Sequence, residues 1–421
     1  MSGPGGLPDH VEVAIVGGGQ AGLAASWHLV QRGIDHVVLE RASVAHDWRD
    51  RRWDAFTLVT PNFQCRLPGF AYDGDEPDGF MTRAQVQAWL GRYRASFDPP
   101  VLEGVEVLGL RRAEEGFVLR TSAGDLTAAQ VVIATGGYHL PLVPAIGALL
   151  PRRVTQVHSA DYRNPESLPD GAVLVVGSGQ SGAQIAEDLH LAGRRVHLAL
   201  GRAPRSARRY RGRDCIAWLE DMGVYDVTVQ QHASGLAKRE STNHYMTGRA
   251  GGHDIDLRAF ALEGMRLSGR LTGVVDGVLG FAPTLTQSLD HADSVMESIK
   301  TDIDAYIARA GIDAPTEARY TPVWVPPEEP ASLDLAAEGV STVVWATGFR
   351  PDYRWVEVGV FDGSGHPTHR AGGTDVPGLH FLGLPWLTTW GSGRFAGVAR
   401  DAAQVTAAIA ARHAAGAPVP A

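Results

Sequence analysis

Cysteine is almost absent: Cys65 and Cys215 are the only two in 421 residues, and they form no C-x-x-C pair. That excludes dithiol–disulfide exchange at a local motif and leaves both thiols as packing residues. No uninterrupted apolar stretch approaches the ~20 residues needed to span a bilayer. The N-terminal Met1–Asp9 is Gly/Pro-rich, with neither the basic start nor the apolar core of a secretion signal. The expectation is a cytoplasmic protein. Neither sign of charge dominates: 38 Lys and Arg against 47 Asp and Glu give a net charge of −9, so no general attraction to nucleic acid or an anionic membrane is expected. The 16 histidines show no H-E-x-x-H spacing, and no metal is assigned. No persuasive Ser-His-Asp or paired-carboxylate arrangement stands out either.

What the chain does have is glycine in a particular pattern. Gly17-Gly18-Gly19-Gln20-Ala21-Gly22 and Gly177-Ser178-Gly179-Gln180-Ser181-Gly182 are two G-x-G-x-x-G fingerprints, each between a short apolar run and a helical pattern. The first glycine of such a motif makes a tight strand-to-helix turn, the second lets the backbone approach a pyrophosphate, and the third allows close helix packing. The helix N-terminus then attracts the phosphate charge. The apolar runs Val11–Val16 and Val173–Val176 supply the context that a lone fingerprint lacks. One chain is therefore expected to hold two dinucleotides.

The return strands separate the two sites. His36-Val37-Val38-Leu39-Glu40 places a carboxylate, followed by Arg41, where it can accept hydrogen bonds from a ribose. This favours an adenosine with a free 2′-hydroxyl, as in FAD or NAD. Arg195–Arg202 has no acid at the matching place, and Arg202, Arg205, Arg208 and Arg209 follow closely. Guanidiniums without a carboxylate suit a 2′-phosphate, so the second site reads as NADPH. The bland alternatives are a solvated strand-end charge and a solvated basic loop.

Length and 44% hydrophobic content predict two or three domains. The two buried β runs Val131–Ile133 and Val343–Trp345 end in Ala134-Thr135-Gly136 and Ala346-Thr347-Gly348. They read as crossings between nucleotide-binding lobes, where glycine lets the chain pass close to a cofactor. The expected architecture is α/β, with two Rossmann-like dinucleotide-binding domains and the NADPH domain inserted into the FAD domain. The ranges are 1–165 and 319–421 for the FAD domain and 166–318 for the NADPH domain.

The order of these motifs, ending in Ala346-Thr347-Gly348-Phe349-Arg350-Pro351-Asp352, resembles class B flavin-dependent monooxygenases such as the flavin-containing monooxygenases and the YUCCA-type enzymes. The resemblance implies FAD at the first fingerprint and NADPH at the second. It implies hydride transfer to the flavin, addition of O2 at its C(4a) carbon, and delivery of one oxygen atom to nitrogen or sulfur of a small organic substrate. His46-Asp47-Trp48-Arg49 resembles the segment in which the tryptophan packs near the FAD phosphates, and Leu58–Asn62 the Thr-Asn segment beside the flavin ring. The resemblance thus makes Asn62 the first choice for an active-site polar group, the other reading being a turn residue after proline. Pro377–Gly383 resembles the strand before a helix, near Gly397–Ile409, whose end faces the flavin pyrimidine. Trp386, Trp390, Arg394 and Phe395 stand between them, as a substrate wall or as a seal of the domain seam.

The family's linker fingerprint F-x-G-x-x-x-H-x-x-x-[WY] is half present. His158 and Tyr162 match, whereas Arg152 and Val154 replace Phe and Gly, which argues against Baeyer–Villiger oxygenation. A reductase or dehydrogenase without oxygenation is the second hypothesis, and a redox sensor binding both cofactors the third. Residues 211–289 have no assigned counterpart. Substrate identity and oligomeric state, including a homodimer, are left open.

Overall fold

The computed structural model describes residues 6–416. Met1–Gly5 and Ala417–Ala421, the outer ends of the expected first domain, lie outside the described residues, as does half of the N-terminal stretch read for a signal.

The first sheet is built from β1 (His10–Val16), β2 (His36–Glu40), β3 (Val101–Glu103), β4 (Val107–Arg112), β5 (Phe117–Thr121) and β6 (Gly124–Ile133). Its order is β3-β2-β1-β6-β5-β4. Strands β3, β2, β1 and β6 are parallel, and β4 and β5 add an antiparallel meander to the N-terminal half of β6. The second sheet contains β7 (Thr155–His158), β8 (Ala172–Val176), β9 (Val196–Ala199), β10 (Arg266–Ser268) and β11 (Val340–Trp345), all parallel in the order β7-β11-β8-β9-β10. The chain then returns to the first sheet as β12 (Leu379–Phe381), parallel to the C-terminal half of β6. The central strands are continuous apolar runs because helices cover both faces of a parallel sheet. β8, for example, is buried at all five positions.

Two fingerprint helices, α1 (Gln20–Gln31) and α3 (Gln180–Leu191), follow β1 and β8. α2 (Arg83–Phe97) opens on a capping box between Thr82 and Gln85, which satisfies two of the orphan donors of its first turn. α4 (Leu285–Ala310) covers the second lobe, and α5 (Val398–Ala414) packs on α1. One hydrophobic core runs through both lobes, from Ile15, Leu23 and Trp89 to Val173, Ile185 and Leu285.

The inserted-domain plan therefore stands, but its boundaries move. β7 lies inside the range expected for the first FAD segment and β11 inside the range expected for the second, yet both pair in the second sheet. The second lobe begins near Thr155 and the chain leaves it only after Trp345. The two A-T-G segments are expected as crossings between the two nucleotide-binding lobes. Strand pairing shows that the strand before each segment lies parallel beside the fingerprint strand of its own lobe, β6 beside β1 and β11 beside β8.

Candidate functional site

The two fingerprints build nearly identical cradles. In the first sheet Val16 is in register with both Leu39 and Ile133, and in the second Val176 is in register with both Ala199 and Trp345. Gly17 and Gly177 have φ of +112° and +102°, a left-handed backbone that side chains rarely adopt. A Cβ on Gly17 would stand 2.7 Å from the carbonyl oxygen of Ala134, and one on Gly177 2.6 Å from that of Ala346. The A-T-G segments are thus the second wall of each turn. On Gly22 and Gly182 a Cβ would stand 1.9 Å from the carbonyl oxygens of Gly17 and Gly177, so only glycine lets the helix sit down on its turn. Gly136 and Gly348 take φ of +72° and +86°, which turns the chain out of each sheet. A bare backbone at a helix N-terminus fits a pyrophosphate in both lobes.

The cradles differ at the residue after the first glycine and at the strand end it faces. Glu40 accepts hydrogen bonds from the backbone N–H of Gly18 at 2.7 Å and of Ala42 at 2.9 Å. Its carboxylate is locked at the strand end, beside an exposed Arg41 with no ion pair among the described residues. In the second lobe the matching register position is Leu200, which is buried. There the Ser178 hydroxyl accepts the Gly201 N–H at 3.1 Å, closing the loop without a carboxylate. The missing acid is legible in the sequence, and strand register identifies Leu200 as the residue at the Glu40 position.

The arginine cluster splits. Arg202 is exposed and has no ion pair among the described residues. Arg208 is buried, with its guanidinium bound to the Asp214 carboxylate and the Val59 carbonyl and stacked over Phe80. This corrects the expectation that Arg208 binds a 2′-phosphate: a guanidinium already neutralised in the interior is not available to one. Arg205 is buried against Asp256 and Asp293 in the same way.

Around the first cradle, Gln20 opens α1 and joins two distant segments. Its side-chain oxygen accepts the Trp48 indole N–H at 3.2 Å, and its amide donates to the Gly393 carbonyl at 3.2 Å. Trp48 stacks on Phe395 with centroids 5.3 Å apart, and Arg52 lies over the indole. Gly383, at φ +78°, approaches so closely that a Cβ would be 2.7 Å from Ala21 Cβ. The structure thus gathers Gln20, Ala21, Trp48, Gly383 and Phe395 at the mouth of one cradle. Asn62 is 2% exposed, its amide donates to the Glu76 carbonyl, and its oxygen accepts the Met81 N–H. Its observed bonds pin the 74–81 loop.

The unassigned stretch contributes more than packing of its own lobe. Residues 224–245 lie across the C-terminal part of the first lobe. Tyr225 stacks on Trp390 at 4.4 Å, Val229 N–H donates to the Thr388 carbonyl, and Asp226 pairs with Arg400. Thr347 Oγ1 donates to the Leu142 carbonyl, and Phe349–Arg350 pair with Leu140–Pro141, so the two crossings are zipped together. Cys65 and Cys215 are buried in separate cores. Burial pushes both thiols up to about 12, far from the thiolate that exchange chemistry requires. Among the described residues no helix is long and apolar enough to cross a membrane.

Comparison with known proteins agrees with this geometry. Residues 14–221 match the family described as pyridine nucleotide-disulphide oxidoreductase. An uncharacterized CzcO-like oxidoreductase of Geobacillus kaustophilus is 30% identical over 93% of this chain and 96% of that protein. The rice indole-3-pyruvate monooxygenase YUCCA1 is 32% identical over 42% of this chain and 44% of its own. A flavin monooxygenase from Stenotrophomonas maltophilia, solved as a double mutant, superposes with a TM-score of 0.66 at 20% identity, covering 96% of this chain and all of that one. Cradles, crossings and relatives together imply flavin and pyridine-nucleotide cofactors, and the chain belongs to the CzcO-like family of oxidoreductases.

Proposed function

We propose that this protein binds FAD in the first cradle and NADPH in the second and transfers one oxygen atom from O2 to nitrogen or sulfur of a small organic substrate. The observation that carries the reading is the asymmetry of two otherwise matched cradles. Glu40 stands at the ribose position of one, and Leu200 with an unpaired Arg202 at the other. A fixed carboxylate accepts ribose hydroxyls and repels a 2′-phosphate, whereas an exposed guanidinium attracts that phosphate. With both dinucleotides held there, hydride transfer from a nicotinamide and electron delivery to dioxygen from a flavin would be the chemistry the cofactors supply. The chain's own part is to hold and orient. The glycine turns seat the pyrophosphates, the locked Glu40 fixes the adenosine end, and the Trp48–Phe395 stack supports the wall beside Gln20. With both cysteines buried and protonated, electrons have no protein dithiol to reach.

Turnover with NADPH, isotopically labelled O2 and a panel of small amines and sulfides tests this reading. Label in the product supports it. A second reading, a reductase without oxygenation, is favoured by the linker: Val154 is buried where the family pattern has glycine. NADPH oxidation that reduces a quinone or yields only hydrogen peroxide, with no label in any product, would establish that reading instead.

A further inference from the structure

The five residues Thr242–Met246 touch the second fingerprint directly and reach the first only through Arg394 and Gly393. Above the first cradle, a Cβ on Gly19 would meet nothing within 4 Å. Above the second, a Cβ on Gly179 would stand 3.6 Å from the Thr242 methyl. The side of this glycine on which a Cβ would project is the side on which the backbone approaches a pyrophosphate. A dinucleotide seated on Gly179 therefore requires Thr242 to move.

Its neighbour is held by the other lobe. Asn243 Oδ1 accepts a hydrogen bond from Arg394 Nη2 at 2.9 Å. The Arg394 guanidinium lies 3.8 Å over the Trp390 ring, also donates to the Trp390 carbonyl, and so props the Trp390–Tyr225 stack. The residue before it, Gly393, is bound by Gln20 at the start of α1. The far end of the segment is fixed. Tyr245 and Met246 are buried, Tyr245 N–H donates to the Pro204 carbonyl, and Met246 receives the Gln180 amide at 2.5 Å. Ser241, Thr242 and Asn243 are exposed, so displacement of Thr242 pivots about Tyr245 and pulls on the Asn243–Arg394 bond.

We propose that this segment is a latch: seating a nicotinamide dinucleotide on Gly179 displaces Thr242, breaks the Asn243–Arg394 contact, and releases Arg394 from its fixed place over Trp390 in the flavin lobe. The inference goes beyond the oxygenation reading and needs only that the second cradle bind a dinucleotide. A ligand shifts a conformational equilibrium only through contacts that differ between its states. Here the differing contact is one charge-assisted hydrogen bond, and removing it in advance makes ligand binding tighter.

The test is calorimetric titration of the full, flavin-loaded chain with NADP+, together with tryptophan emission. Asn243→Ala is expected to bind NADP+ about threefold more tightly than the wild type, the scale of an exposed charge-assisted bond. Arg394→Met should do the same, and the double variant should gain no more than either single one, because both remove the same contact. The wild type should show an emission change on NADP+ binding that Trp390→Phe removes. Affinity within twofold of wild type in Asn243→Ala, weaker binding, or additive gains in the double variant would overturn the latch while leaving the dinucleotide reading intact. A wild type that binds neither NADP+ nor NAD+ would overturn both.

Discussion

The imidazole Nε2 of His158 lies 3.0 Å from the carbonyl oxygen of Gly348, so the half-present linker fingerprint is tied to the second A-T-G crossing. Ala160 N–H donates to Nδ1, which leaves the proton on Nε2 and makes His158 a neutral donor to Gly348. The ring also packs edge-on against Phe349. In this arrangement the linker histidine positions a crossing.

Acid should weaken the fold through this and similar groups. Burial lowers the pKa of His158 below the ordinary 6.5, and lowers those of His36 and His139 likewise, with His197, His244 and His380 brought to about 4. A histidine held neutral in the fold binds fewer protons there than in the unfolded chain. Its contribution is complete above about 6.5 and is lost as pH falls toward the folded value. Thermal unfolding followed across this range should show a falling midpoint below pH 6.5. His158→Gln, which keeps a donor toward Gly348, should flatten the slope and cost about 1 kcal/mol at neutral pH.

The third glycines should be separable by lobe. Gly22→Ala and Gly182→Ala each drive a methyl into a carbonyl oxygen at 1.9 Å, an overpacking that costs about 1–3 kcal/mol or more. Gly22→Ala should purify with little flavin. Gly182→Ala should retain flavin, read from its visible absorbance, but bind pyridine nucleotide at least tenfold more weakly, the scale of a loss near 1.4 kcal/mol.

Glu40→Gln should weaken FAD binding. The neutral amide keeps the shape but turns one acceptor into a donor facing the Gly18 or Ala42 N–H, both of which the carboxylate now satisfies. A loss on the order of tenfold in affinity is expected from one charge-assisted bond of roughly 1.5–3 kcal/mol, measured by equilibrium titration of the flavin-free protein.

Two neighbouring arginines should fail in different ways. Arg202→Ala should leave the unfolding midpoint unchanged and reduce the preference for NADPH over NADH, read as the ratio of their kcat/KM values. Arg208→Ala should instead destabilise by about 3–5 kcal/mol, because it strands the buried Asp214 carboxylate without its partner. Unchanged preference in Arg202→Ala would remove the basis for NADPH in the second cradle.

Much of this architecture was legible in the residues. The glycine fingerprints, the apolar runs before them and Glu40 are encoded locally, since tight turns, continuous buried strands and helix starts depend on neighbours in sequence. The paired A-T-G segments were legible as crossings, but not which sheet each preceding strand joins. Pairing of Val340–Trp345 with Ala172–Val176 is a contact between strands more than 160 residues apart, which no local pattern records. The same limit explains the arginines. Arg202 and Arg208 look alike on the chain, and only the fold buries one against Asp214 and leaves the other in solvent. It likewise explains residues 224–245, whose polar and aromatic side chains carry no periodic signal and acquire meaning only from the Trp390 and Arg394 that fold beneath them. The sequence by itself determined two dinucleotide cradles and their chemical difference, because these rest on backbone conformation and one charge. The tertiary structure alone decided lobe boundaries, the fate of each arginine and the bridge between cradles, because these depend on which distant surfaces exclude water together.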